Sequence, residues 1–356
     1  MNSMAPDRND NDLESIDREI IRLISERSNL YIRMLKSRLA GDGLFSAEYR
    51  DRLFKLIEEA NTGPLSDQIL KRIYTDMVTG SMTIIAPVTV AFLGPEGSFS
   101  NIPVNEFFNE GAASLPQRTI QDVFQQVESG KAHYGVVPVE NSTEGSVTYT
   151  LDELTETSLN IISEKYVRVT YSLLSRLKDI TSVQKIFTHP QTLGQCKAWI
   201  RNNLPDAEIV SVESTSRAAE LASREPDAAA IASDIAAGIY HLNILATMIE
   251  DSRQNYTRFF LIGRDGSKPT GNDKTSIVCA VRDKPGALLG LLKAFAAAGI
   301  NMTKIESRPD KKKMWEYNFF IDFIGHQDDA IVKKALEKIR KEAIFLKILG
   351  SYPVGN

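Results

Sequence analysis

Apolar residues recur with different periods along the chain, and the change of period divides it. Near the N-terminus Leu13, Ile16, Ile20, Leu23, Leu30 and Met34 follow the 3-4-3 spacing of one helix face. Asn11 with Glu14 suits a capping box and Gly41-Asp42-Gly43 suits a stop. A helix over 12–39 would run about 42 Å at 1.5 Å per residue. Two shorter helices are expected near 47–60 and 66–82, on either side of Asn61-Thr62-Gly63-Pro64. So small a segment cannot bury so long a helix by itself, which predicts pairing with a second copy in a dimer.

Around Pro87 the pattern changes. Val88 to Leu93 is a short apolar strand running into Gly94-Pro95-Glu96-Gly97-Ser98. Buried-strand candidates at 133–139, 184–188, 208–212, 228–232 and 256–262 then alternate with helical stretches at 119–129, 191–202 and 215–223. That alternation predicts α/β layers around a largely parallel sheet, with enough chain for two lobes and a cleft. The breaker-rich stretch from Asp265 to Asp273 reads as a linker. Beyond it the order is strand 274–281, helix 286–298, strand 301–308, strand 315–323, helix 328–343 and strand 345–350, a βαββαβ ferredoxin-like layout. The predicted architecture is therefore multidomain: an all-α segment over 1–86, a two-lobed α/β core over 87–265 and an α+β domain over 273–352.

Composition narrows the function. A net charge of -4 gives no electrostatic case for nucleic acid or an anionic membrane. No apolar run approaches the ~20 residues of a membrane span. The opening MNSMAPDRNDND lacks an apolar signal core, so a cytoplasmic protein is expected. Cys196 and Cys279 lie far apart, and the 4 histidines are scattered, which argues against a disulfide framework or a metal site. No cofactor is called for.

Several polar groups are candidates for chemistry in the middle segment. Ser98, in Gly97-Ser98-Phe99-Ser100, and Ser214 with Thr215, opening a helix, sit at strand-to-helix turns whose N–H groups favour anions. Taken singly, Ser214 or Thr215 is explained as a helix cap. Asn141 leaves the end of a buried strand in a polar run, and alone reads as an Asx turn. Thr257 and Arg258 open an apolar strand; alone, one is a β-branched strand residue and the other an ion-pair partner. Two such turns on one α/β scaffold point to a small dianionic ligand at the carboxyl ends of the strands.

Taken together, the runs GPEGSFS, PVENSTEG, THPQTLGQC, ESTSRAA and NYTRF, in that order, resemble the signature runs of prephenate dehydratases over residues 88–264. The resemblance implies a two-lobed fold like that of periplasmic binding proteins, with the site in the cleft. It implies that Thr257 is the essential catalytic residue and that Asn141 and Gln195 hydrogen-bond substrate. Thr188 stands where many relatives have serine, keeping the hydroxyl. The reaction would expel CO2 and a ring hydroxyl from prephenate as the ring becomes aromatic. Thr257 would then hydrogen-bond the departing oxygen or relay a proton to it. Ser98, Thr188, Ser214, Thr215 and Arg258 are the candidates for holding the two carboxylates.

The flanking segments carry resemblances of their own. Gly286-Ala287-Leu288 and Glu306-Ser307-Arg308-Pro309 resemble the two motifs of the ACT domain in phenylalanine-sensitive dehydratases. They imply an L-phenylalanine site between paired ACT domains that inhibits the enzyme. Asp17, Arg27, Arg38, Arg50, Asp51 and Ser81 resemble the pattern of all-helical chorismate mutases, which rearrange chorismate to prephenate. Arg27 falls on the apolar seam, where a charge needs an anionic partner, either a glutamate of the bundle or a ligand. The chain departs from that pattern at Asp10, Ala47 and Ile85, and the last departure removes a donor to the ether oxygen. The whole looks like a three-part P-protein, a homodimer or homotetramer. The alternatives are a dehydratase with a degenerate helical dimerisation arm and a non-catalytic amino-acid sensor.

Overall fold

The computed structural model describes residues 8–37, 47–84, 88–108, 112–252, 254–281, 284–309 and 317–355; the side chains of helical residues 8–11, 35–37, 47–51, 79, 82 and 83 are not described. The chain packs as two compact units, one of residues 1–88 with 108–113 and one of the remainder.

The first unit is helical: α1 (Arg8–Ser37), α2 (Ala47–Ala60) and α3 (Asp67–Thr83). Because α1 begins at Arg8, Asn11 lies inside the helix and does not cap it. The expected stop at Gly41-Asp42-Gly43 lies outside the described residues. Tyr31, Leu53, Ile57 and Val78 form the buried core, with Met34, Phe54, Leu70 and Tyr74 packed on it. Only the C-terminal third of α1 contributes. Leu13, Ile16, Ile20, Leu23 and Leu30 stay 47–60% exposed, an apolar stripe that the single chain leaves uncovered.

The larger unit opens with β1 (Val88–Leu93), α4 (Asn101–Phe108), β2 (Ala112–Gln117), α5 (Ile120–Glu128), β3 (Tyr134–Asn141), β4 (Gly145–Ser146), α6 (Thr148–Glu156) and β5 (Asn160–Arg168). Next come β6 (Ser172–Ser175), β7 (Lys185–Thr188), α7 (Pro190–Asn203), β8 (Glu208–Ser211), α8 (Thr215–Ala222), β9 (Ala228–Ala232), α9 (Asp234–Tyr240) and β10 (Asn243–Ala246). The chain then returns through β11 (Tyr256–Gly263). Two sheets result, β2-β1-β3-β11-β5 with β4 on β3, and β10-β6-β9-β7-β8.

Each sheet is mixed, which corrects the expectation of a largely parallel one. β11 runs antiparallel to both β3 and β5, and β6 antiparallel to β9. The cause is topological, because the chain crosses between lobes twice, from β5 to β6 and from β10 to β11. Those crossings bond to each other, Val169 N to Asn255 O at 2.8 Å and Ile249 N to Tyr171 O at 3.0 Å. The carboxyl ends of β1 and β3 in one sheet, and of β7, β8 and β9 in the other, lead into the turns carrying the candidate groups.

The C-terminal part is β12 (Asp273–Ala280), α10 (Ala287–Ala297), β13 (Met302–Pro309), β14 (Tyr317–Ile324), α11 (Ala330–Glu342) and β15 (Phe345–Pro353). Its sheet order β13-β14-β12-β15, antiparallel throughout, is the expected ferredoxin-like layout. This sheet lies hard against β5: a Cβ added to Gly350 would fall 2.2 Å from the Ile161 carbonyl oxygen, so only glycine fits there.

A buried ion cluster ties the two layers. Arg258 of β11 donates from Nε to Glu164 at 2.7 Å and from a terminal nitrogen to Asp322 at 2.5 Å. Lys274 reaches the other oxygen of Glu164 at 2.6 Å, and Ser276 donates to Asp322 at 2.6 Å. Two cations face two carboxylates, all side chains at most 8% exposed. Arg258 is therefore committed to structure, which corrects its assignment as a carboxylate holder for substrate. Removing one partner from such a cluster leaves uncompensated buried charge. Arg258→Ala should destabilise the unit by about 3–5 kcal/mol, read from the midpoint of urea unfolding.

Candidate active site

The site starts from strand pairing. Register sets Thr257 of β11 directly opposite Asn141 at the end of β3. Successive strand residues point to opposite faces, so Arg258 enters the ion cluster while Thr257 meets Asn141 on the other side. Asn141 Nδ2 donates to Thr257 Oγ1 at 2.8 Å and to Asn255 Oδ1 at 2.8 Å, and Asn255 Nδ2 donates to Gln195 Oε1 at 2.9 Å. Asn141, Gln195 and Thr257 remain partly exposed. Three separated runs of sequence thus meet in one polar chain.

The direction of that chain follows from the backbone. Asn141 Oδ1 accepts from the amides of Thr143 at 2.9 Å and Glu144 at 3.1 Å, and from the Thr143 hydroxyl at 2.6 Å. Amides can only donate, so the carbonyl end of Asn141 faces them and its NH2 faces Thr257. Thr257 Oγ1 therefore accepts, and among the described residues no acceptor takes up its own proton. Asn255 must likewise accept from Asn141 and donate to Gln195, whose Nε2 then has no acceptor among the described residues. A hydroxyl that accepts one hydrogen bond donates a stronger one.

The other candidates divide. Ser214 accepts from Arg217 N at 3.0 Å as the N-cap of α8, with Thr215 the first helical residue. Ser214 and Arg217 also line a cavity of about 480 Å3 with Gly94, Pro95, Glu213, Glu220 and Tyr240, in the size range of small-ligand sites. Ser98 turns its hydroxyl onto Leu93 O at 3.0 Å, within its own loop. Thr188 is wholly buried at the end of β7 with its hydroxyl 3.4 Å from His189 O, so it presents no open face for the expected substrate contact. The loops from both lobes are joined by Ser233 Oγ donating to Gly97 O at 2.7 Å. Burial pushes the Cys196 thiol up to about 12, so this neighbour of Gln195 stays protonated and inert near neutral pH. Among the described residues no cluster of His, Cys, Asp and Glu could hold a metal ion, and no helix is long and apolar enough to cross a membrane. Asn255 and Thr143 were not anticipated from sequence, although both stand in the polar runs that carry Thr257 and Asn141.

Comparison with known proteins fits this geometry. The prephenate dehydratase family model matches residues 90–267 and the ACT domain model residues 275–341. A bifunctional chorismate mutase/prephenate dehydratase of Aquifex aeolicus is 42% identical, over 96% of each chain. The chain belongs to that family. A relative of the same description from Pseudomonas aeruginosa is 40% identical over 96% of this chain and 95% of its own. The solved prephenate dehydratase from Arthrobacter aurescens, in complex with L-Phe, is 36% identical at a TM-score of 0.68, covering 75% of this chain and 90% of that one.

The ACT motifs of this family member lie where the layout predicts. Gly286 is the N-cap of α10 with φ +80°, a conformation that favours glycine, and Ala287 and Leu288 form the first turn. Glu306, Ser307, Arg308 and Pro309 end β13. Arg308 faces the catalytic layer, its Nε and terminal nitrogen donating to Asp152 of α6 at 2.5 and 2.6 Å. Four residues earlier on the same strand face, Lys304 pairs with Glu140 at 2.7 Å, next to Asn141.

Among the mutase-like residues, the side chains of Asp17, Arg27 and Ser81 are described. Arg27 lies 5.3 Å above the Tyr74 ring and 6.0 Å from that of Tyr31. Ser81 is buried with its hydroxyl on Met77 O at 2.7 Å, a bond to its own helix. Arg50 and Asp51 lie in α2 with undescribed side chains, as do Ala47 there and Asp10 in α1; Arg38 and Ile85 lie outside the described residues.

The direction of the amide chain has a measurable consequence. Asn141→Asp keeps shape and still accepts the two loop amides, but it cannot donate to Thr257, whose hydroxyl would turn inward. Turnover should fall by about 10²–10³-fold, the scale for losing one aligned donor. Thermal unfolding of the same variant, followed by circular dichroism, should be little changed.

Proposed function

We propose that the α/β core is a prephenate dehydratase that converts prephenate to phenylpyruvate, CO2 and water. The observation that carries this is the outward-donating hydroxyl of Thr257, held by Asn141 beside the free amide donors of Gln195. An aromatising elimination needs a donor to the departing hydroxyl and fixed polar groups for two carboxylates. Thr257 supplies the first; Gln195, Ser214 and Thr215 are the groups we assign to the second. No cofactor enters this chemistry. The domains are taken as 1–86, 87–265 and 273–352, a division supported by the matched family segments and by the packing break at Val88.

The ACT layer is the sensor for L-phenylalanine, read at Gly286, Ala287, Leu288 and Glu306 to Pro309. The solved relative from Arthrobacter aurescens, in complex with L-Phe, supports that effector. The assembly is a cytoplasmic homodimer or homotetramer, for which the uncovered stripe on α1 is the motive. A second reading concerns the helical unit: mutase chemistry is favoured by relatives that match over nearly the whole chain, this segment included. The self-bonded hydroxyl of Ser81 and the departures at Asp10, Ala47 and Ile85 favour a pairing arm instead.

The test supplies chorismate alone and prephenate alone to the full-length chain. Phenylpyruvate from prephenate is expected; tight L-phenylalanine binding with no product would favour a non-catalytic sensor. Product from chorismate separates the bifunctional enzyme from a dehydratase with a pairing arm. Thr257→Ser should keep substantial turnover, and Thr257→Ala should lose about 10²-fold or more; wild-type kcat in the alanine variant would remove Thr257 from the mechanism. Lys304→Met, which breaks the contact with Glu140, should blunt inhibition by L-phenylalanine while prephenate turnover without effector stays near wild type.

A further inference from the structure

The crossing that leads into β11 does more than connect the lobes. Two of its residues grip α7, the helix that carries Gln195, at different points. Asp251 takes the backbone: its N–H donates to Gln195 O at 2.7 Å, and its carboxylate accepts from Ala198 N at 2.9 Å and Trp199 N at 3.1 Å. In an uninterrupted helix the Gln195 carbonyl serves the amide of Trp199 and the Ala198 amide turns to Gly194. Here a carboxylate from another segment enters that ladder, an insertion of the kind that bends helices. Asn255 takes the side chain through its bond to Gln195 Oε1 at 2.9 Å.

We propose that Asp251 is a positioning residue for Gln195, acting with Asn255 as a two-point clamp. One point sets where the helix presents Gln195; the other sets the roll of its amide. Charge-assisted bonds to two amides are stronger than neutral ones, so the carboxylate is the firmer of the two points. The clamp also couples the lobes, because the crossing ends in the strand that bears Thr257. The bond chain from Thr257 through Asn141 and Asn255 closes only if α7 stands at that height. The kinetic part of this inference rests on the reading that Gln195 holds prephenate; the geometric part does not.

The test uses the full-length chain with Asp251→Ala, Asp251→Asn, Gln195→Ala and the Asp251→Ala/Gln195→Ala double variant. Asp251→Ala should lower kcat/KM by about tenfold or more, mainly through KM, as expected for a misplaced binding group. Asp251→Asn, which keeps one acceptor oxygen in the same place, should recover part of the loss and guards against misfolding of the alanine variant. The double variant should be no worse than Gln195→Ala alone, since the two residues act through one contact. Additive losses, or an unchanged KM in Asp251→Ala, would overturn the proposal. Amide hydrogen exchange gives the independent readout: Ala198 and Trp199 should exchange faster in Asp251→Ala. Unchanged exchange there refutes the clamp whatever the turnover. A wild-type chain inactive on prephenate sinks the dehydratase reading instead, and exchange then decides the clamp by itself.

Discussion

The hydrogen bond from Asn141 to Thr257 constrains the rest of the site, because it can run in only one direction. Two loop amides and a hydroxyl hold the Asn141 carbonyl. The donor end of that side chain is then obliged to face Thr257 and Asn255. From there each polarity is forced, through Asn255 to Gln195, without any appeal to substrate. The polar chain is thus oriented before any ligand arrives. Donors turned at the moment of reaction would cost reorganisation energy.

Such a chain is only as accurate as the elements that bear it, and the strand β11 is anchored accordingly. Thr257 lies on the face of the strand that meets Asn141, and Arg258, the next residue, enters the buried cluster of Glu164, Lys274 and Asp322 on the other. The strand therefore cannot slide without breaking charge pairs that have no water to replace them. Two of those partners, Lys274 and Asp322, belong to the ACT layer. β11 and the C-terminal sheet share one electrostatic joint, and Lys304 and Arg308 add two more contacts toward Glu140 and Asp152. These contacts of the C-terminal sheet end within one residue of Thr257, at Arg258, and of Asn141, at Glu140.

Much of the architecture was legible from periodicity. The helices of the first unit, the alternation of the core and the βαββαβ order of the C-terminal domain stand in the chain because each element buries one face with its own period. Directions were not legible: β2, β4, β5, β6 and β10 escaped notice and the sheets proved mixed, since strand polarity depends on where the chain crosses between lobes. The apolar stripe of α1 was read correctly as a stripe, yet among the described residues only its C-terminal end packs into a core. Nothing in a spacing says whether a partner is the same chain or another.

The same division holds for the site. The sequence by itself determined which residue types are present, in runs such as VENST and NYTRF specific enough to resemble one enzyme family, and thereby nominated Thr257, Asn141 and Gln195. Tertiary structure alone decided what each does. It set Thr257 against Asn141 by strand register, sent Arg258 to the opposite face as an anchor, buried Thr188, and brought Asp251 and Asn255 to a helix some sixty positions away in the chain. The physical reason is that a side chain's chemistry is local, but its hydrogen-bond partners and its solvent are chosen by residues distant in sequence.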